Sequence, residues 1–161
     1  MEFIGTILIL IYTGLRIGEL LDIKIKDVDI NNRYMRGGSK TKAGKNRIIP
    51  IHKKILPFIT NWYNNALSIG SEYLIFNHKG KQMQYWNYYH EKWEKIIQQL
   101  ELDSNHKPHD TRHTFATDMD NINANKLCIK RIMGHASKDI TDNVYTHKDI
   151  ERLIEAVDLL D

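Results

Sequence analysis

His109-Asp110-Thr111-Arg112-His113, then Met133-Gly134-His135, then Val144-Tyr145-Thr146-His147: the reading of this chain turns on these three runs. A His and an Arg three residues apart share one face of a helix, so both can converge on a single anion. His135 and Tyr145 are expected to follow within one short helical span. Each piece alone has an ordinary explanation. Histidines four apart are a common zinc spacing, and a lone Tyr is usually core or surface. What lies upstream gives the arrangement its force.

The 161 residues, 42% hydrophobic, suit one compact domain with a real core. Three prolines and no low-complexity run argue against disorder. Cys128 has no second cysteine to pair with, which points to a reduced, buried thiol in a cytoplasmic protein. Phe3 to Leu15 is strongly apolar but shorter than the roughly 20 residues that cross a bilayer. It lacks the positive start of a signal peptide and reads as a core helix, so no membrane partner is expected.

The net charge of +3 is unevenly spread. Met35 to Lys54 holds seven bases (Arg36, Lys40, Lys42, Lys45, Arg47, Lys53, Lys54) and no acid. Lys148 to Asp161 holds five acids and two bases. A block of one sign is most often a solvated face. A basic hairpin on a near-neutral domain fits a phosphate-backbone footprint better.

Period and punctuation predict a mainly α, α+β domain. Glu2 to Tyr12 reads as a helix broken by Thr13-Gly14, and Leu15 to Ile23 as a second. From Ile23 to Ile51 the pattern alternates, with turns at Asn31-Asn32, Gly37-Gly38 and Ala43-Gly44. This predicts a small antiparallel sheet of two or three strands with the basic residues on its hairpin. Ile55 to Leu67 is helical, with Pro57 in its first turn or at a kink. Tyr73 to Phe76 reads as a brief strand. Tyr85 to Leu100 reads as a helix whose stripe of Trp86, Tyr89, Trp93, Ile96, Ile97 and Leu100 is core. Asn125 caps a helix over Lys126 to Met133 that Gly134 ends. Lys148 to Asp161 is a last helix.

Thr13-Gly14-Leu15-Arg16 places Arg16 at a helix start after a glycine break, a good anion site. A simple pairing of Arg16 with Glu19 is the plainer alternative. Arg16, His109, Arg112, His135 and Tyr145 together suit phosphoryl transfer to a tyrosine. That reaction needs positive donors on the non-bridging oxygens, an in-line nucleophile and an acid for the leaving oxygen.

With these residues assembled, the chain resembles the catalytic domain of tyrosine recombinases, the phage and transposon integrases and their Xer-type relatives. The resemblance covers nearly all of residues 1–161. It rests on Thr13-Gly14-Leu15-Arg16 with Glu19, the Lys-rich hairpin ending Arg47-Ile48-Ile49-Pro50, His109-x-x-Arg112-His113, Gly134-His135 and Tyr145-Thr146-His147. Thr111 and Met133 stand where many members carry Leu. The resemblance implies that Arg16 and Arg112 clamp the scissile phosphate and that His109 and His135 hydrogen-bond it and help move protons. It implies that Lys42 protonates the leaving 5′ oxygen, with Lys40 and Lys45 as competitors, and that Tyr145 is the nucleophile. Glu19 would hold the first arginine and His113 buttress the second motif. Arg36, Lys40, Lys45 and Arg47 are the expected DNA contacts.

The resemblance further implies double-stranded DNA at recombination sites as partner, with no metal and no cofactor. It implies a tetrameric synapse in which the C-terminal helix docks in trans on a neighbour. Members of the family carry an N-terminal domain that grips the opposite face of the DNA; here the sequence begins directly in the catalytic domain, as a fragment would. DNA relaxation of the type IB topoisomerase kind and a non-catalytic basic DNA-binding module are the alternatives. A zinc hydrolase on His106, His109 and His113 is disfavoured, because Asp110 and Thr111 stand where its general-base Glu belongs.

Overall fold

The computed structural model describes residues 3–38, 44–135 and 144–161. The chain opens with helix α1 (Ile4–Thr13) and the short α2 (Ile17–Leu21). Gly14 ends α1 at φ 63°, its N–H bonded to the Leu10 carbonyl. No other residue fits there: a Cβ on Gly14 would lie 2.4 Å from Phe115 Cδ1. The left-handed turn and the close seat against the later helix α6 therefore have one cause.

After a single 3₁₀ turn, β1 (Val28–Asp29), β2 (Tyr34–Gly37) and β3 (Arg47–Pro50) form the expected antiparallel sheet in the order β1-β2-β3. Met35 faces Ile49, Arg36 faces Ile48 and Gly37 faces Arg47. Helix α3 (Leu56–Ile69) takes Pro57 in its first turn, where the missing N–H costs nothing. Asn125 Oδ1 accepts from the N–H groups of Leu127 and Cys128 to start α7 (Lys126–Met133), and Gly134 at φ 66° ends it.

Several expectations change. The second helix is confined to α2. Tyr73 to Phe76 forms no strand; Tyr73 and Phe76 make isolated bridges to Lys24 and Gln82. The helix expected over Tyr85 to Leu100 is α4 (Tyr85–Tyr88), a π-turn (Tyr89–Trp93) and α5 (Glu94–Gln99). A π-turn adds a residue and rotates everything before it against everything after it. Trp93, Ile96 and Ile97 are buried as expected, but Tyr88 replaces Trp86 in the core, leaving Trp86 69% exposed and Leu100 44% exposed. His135 and Tyr145 share no helix. His135 follows the end of α7, and Tyr145 precedes Thr146, the N-cap of α8 (His147–Val157).

β3 divides the apolar interior. Ile49 joins Leu10, Leu20, Trp62 and Tyr88 on one side. Ile48 joins Phe115 and Met119 of α6 (Asp110–Asn121), Ile132 and Met133 of α7, and Ile150, Leu153, Val157 and Leu160 from the tail on the other. Each such side chain stabilises the fold by about 1.5–3 kcal/mol when fully buried. Polar contacts pin the tail as well. Arg33 Nη1 donates to Asp158 Oδ2 at 2.9 Å, and His52 Nε2 lies 3.1 Å from the Leu160 carbonyl. The C-terminal helix is docked on its own domain. Among the described residues, no helix is long and apolar enough to cross a membrane.

Candidate active site

Arg112 is the structural centre of the site. It enters on the first turn of α6 and is 3% exposed. Nη1 donates to the Gly14 carbonyl, and Nη2 donates to the Met133 carbonyl at 2.6 Å. One guanidinium thus ties the end of α1 to the end of α7, and this junction sets Arg16 and His135 beside it. Burial, followed by the charge of Arg16, pushes Arg112 down to about 10, well above neutral pH, so it remains a cation.

His135 Nε2 lies 3.2 Å from Arg112 Nη2. Arginine has donors only, so Nε2 accepts and the ring proton of neutral His135 belongs on Nδ1. Partial burial, then Arg112, Arg16 and Arg47, holds this imidazole below its ordinary range. His109 occupies the N-cap position of α6 rather than its face. Desolvation and the charges of His113, Arg112 and Arg16 hold it below the ordinary range too, against the pull of Asp110. Both rings are neutral at physiological pH and both feel the same two arginines. His113 is exposed, its ring edge-on to His109 at 4.9 Å.

Arg16 occupies the N-cap position of α2. Its backbone N–H donates to Glu19 Oε2 at 3.0 Å and its Nη1 to Glu19 Oε1 at 3.3 Å. The ion pair with Glu19 is therefore present, and Arg16 is still partly open to solvent, with 27% of its side chain exposed. A recess of about 530 Å³ adjoins it, lined by Arg16, Gly18, Tyr85, Tyr89, Lys107 and His109.

Tyr145 packs against the second core, just ahead of α8. Arg131 lies over its ring at 5.2 Å, and the phenol oxygen is buried with no hydrogen-bond partner among the described residues. Burial pushes the phenol above its usual value, while the nearby Ile48 backbone and the cations of Arg131, Arg47 and Arg36 pull the other way.

Lys40 and Lys42 lie outside the described residues. Of the other expected DNA contacts, Arg36 and Lys45 are exposed. Arg47 is placed differently: it is 0% exposed, and its guanidinium is engaged with Glu19 and the Ile132 and Gly44 carbonyls. Its guanidinium is turned inward, away from solvent. Sequence reasoning also passed over Arg131 and Lys107. Lys107 Nζ meets Tyr89 Oη at 2.6 Å beside His109. Its position two residues before His109 was the available signal; nothing local marks Arg131 as the neighbour of Tyr145. Among the described residues, no group of three His, Cys, Asp or Glu is placed to hold a metal ion.

Residues 3–152 match the model of the phage integrase family. A tyrosine recombinase XerA of Pyrococcus furiosus is 32% identical over 160 residues, covering 94% of this chain and 52% of that protein. The chain spans about half the length of the curated relatives it matches. The crystal structure of XerA recombinase aligns with TM-score 0.72 at 25% identity, over 84% of this chain and 50% of that one. The Tn1549 transposon integrase in complex with circular intermediate DNA aligns with TM-score 0.71 at 25% identity, over 94% and 56%.

Proposed function

This chain belongs to the phage integrase family and has the tyrosine recombinase catalytic-domain fold, and on that premise we propose that it cuts and rejoins duplex DNA at specific sites. Tyr145 Oη would attack the scissile phosphorus, forming a 3′-phosphotyrosine while the bond to the 5′ oxygen breaks. A neutral His109 can take the phenol proton, His135 can donate its Nδ1–H to a phosphate oxygen, and Lys42 would return a proton to the leaving oxygen. Attack by a 5′-hydroxyl of the partner strand reverses the step and frees Tyr145. The phosphotyrosine retains the phosphodiester energy, so resealing needs no ATP.

The observation that carries this reading is the junction at Arg112, which sets two neutral histidines against two arginines. Such a site offers positive charge to the non-bridging oxygens and a base to the nucleophile. Ionising a free tyrosine at neutral pH costs roughly 4 kcal/mol, which fixed charges of this kind can supply. The Tyr145 hydroxyl is buried, so attack requires it to leave its seat beneath Arg131 when DNA binds.

Assembly belongs to the same proposal. Four protomers would meet on paired sites, and α8 would exchange its seat for the identical seat on a neighbour. Because the same contacts form again, such an exchange costs little. The test of the whole reading is covalent capture. The protein is incubated with a pool of nicked, randomised-sequence duplexes and run on a denaturing gel. A band that the Tyr145→Phe variant lacks is expected, and its captured DNA reveals the site. A band that persists in the variant overturns the reading.

A further inference from the structure

We infer that Arg47 is a positioning residue that keeps the Arg16 guanidinium available to the phosphate and fixes the His135 turn against it. The inference rests on the strand-transfer reading above. Arg47 is 0% exposed, and its partners come from three separate segments. Nη1 and Nη2 each donate to Glu19, at 2.9 Å to Oε1 and 2.9 Å to Oε2. Nε donates to the Ile132 carbonyl at 2.6 Å, and Nη1 also reaches the Gly44 carbonyl at 3.1 Å.

Glu19 is one negative charge between two guanidiniums. Arg47 holds both of its oxygens in a fork; Arg16 has one longer side-chain contact, at 3.3 Å. Burial alone would raise the Glu19 carboxyl, yet Arg47, with help from Arg16, holds it below its ordinary value. Glu19 is thereby an anion already neutralised by Arg47. The charge on Arg16 is left directed at the open side of the site.

The same side chain reaches His135. Ile132 lies in the last turn of α7, and the turn that follows packs directly on Arg47. A Cβ on Gly134 would lie 2.8 Å from Gly44 Cα, 3.1 Å from Arg47 Cδ and 3.2 Å from Arg47 Nε. Glycine at this position lets the His135 turn close onto the arginine. Stability gives a weak reason to keep a charge pair whose side chains are 0% and 1% exposed, since well-packed apolar residues of similar volume often serve as well or better. The fixed geometry is what such a substitution would lose.

Arg47→Met leaves Glu19 to capture Arg16, which cancels the charge offered to the phosphate. On a nicked duplex carrying the captured site, adduct formation should slow about 100-fold, the size of losing one preorganised donor. A methylphosphonate at the scissile position carries one negative charge fewer, so there the variant should slow less than about fivefold. Equal slowing on both substrates would mean that Arg47 serves only the fold, and an undiminished rate on phosphate would also overturn the proposal. Should Arg47→Met fail to fold, Arg47→Lys keeps the charge without the fork. It should show the same substrate-dependent loss at about tenfold, and equal slowing on both substrates again overturns the proposal. A wild-type protein that forms no adduct overturns both this proposal and the strand-transfer reading. A wild-type protein that cleaves beside variants with no substrate dependence overturns this proposal alone.

Discussion

The guanidinium of Arg131 lies 5.2 Å from the centre of the Tyr145 ring and pairs with Asp149 at 3.3 Å, across the start of α8. Asp149 also accepts from the Thr146 backbone N–H at 2.9 Å, in the capping box that begins the helix. The tyrosine is therefore held by contacts that belong to the tail. Its hydroxyl is buried with no hydrogen-bond partner meeting normal geometry among the described residues.

Tyr145→Phe is expected to leave the fold intact or make it slightly more stable. Removing an unsatisfied buried hydroxyl recovers about 1 kcal/mol of desolvation. Thermal melts of the two proteins check this. A marked loss of stability would mean that the hydroxyl is bonded after all. Excess EDTA should leave the wild-type adduct unchanged, since the arginines already supply the charge that a metal would.

The hairpin lysines are separated by the leaving group. Lys42→Ala should slow cleavage strongly on an ordinary 5′ oxygen and much less on a 5′ thiol, which departs without a proton. Lys45→Ala should mainly weaken binding and lower the salt slope by about one. Thiol rescue in Lys40→Ala instead would move the acid role to Lys40.

Stability should fall in mild acid, partly through His52. This ring is buried and stacked on Tyr12 at 4.6 Å, and its Nδ1 accepts from the Lys54 backbone N–H at 3.0 Å. Nε2 is then the atom that donates to Leu160, so the neutral ring satisfies both neighbours. Burial depresses its pKa, with Lys53 and Lys54 assisting and Leu160 and Asp158 opposing. Above the ordinary imidazole value, folded and unfolded chains are both neutral there. Below it the unfolded chain takes up a proton that the folded one refuses, and stability drops until the folded pKa is passed. The melting temperature should therefore decline as the pH falls below the ordinary imidazole value, and decline less in His52→Gln. Equal slopes would remove His52 from the account; His109 and His135, also depressed, would leave a residual slope.

Asp158 tests the tail exchange. Asp158→Asn removes the charge that Arg33 holds, at a cost of a few tenths to about 1 kcal/mol for a pair whose side chains are 25% and 26% exposed. If α8 exchanges seats between protomers, a looser anchor should change the cooperativity of assembly on paired sites while single-site affinity stays constant. Gel-shift titrations on one-site and two-site duplexes measure both. Deleting Ile150 to Asp161 is the harsher variant. It strips Ile150, Leu153, Val157 and Leu160 from the second core, so a large fall in melting temperature is expected.

Local chemistry determined the parts of this protein that local chemistry controls. Gly14 and Gly134 end helices because only glycine takes φ near 65° cheaply beside Phe115 or Arg47, and Asn125 starts one because its side chain can meet free N–H groups. The alternation from Ile23 to Ile51 carried the sheet, and the spaced Arg, His and Tyr motifs carried the family. The destination of Arg47 was not legible, because its partners lie 28 and 85 residues away, and an isolated strand cannot distinguish an arginine aimed at solvent from one aimed inward. The π-turn at Tyr89–Trp93 was hidden for a related reason: only packing of both halves against the core chooses Tyr88 over Trp86. Tyr145 is the sharpest case. Its motif marks it as a nucleophile, but whether its hydroxyl faces the phosphate or lies buried under Arg131 depends on where α8 docks, and long-range packing alone decides that.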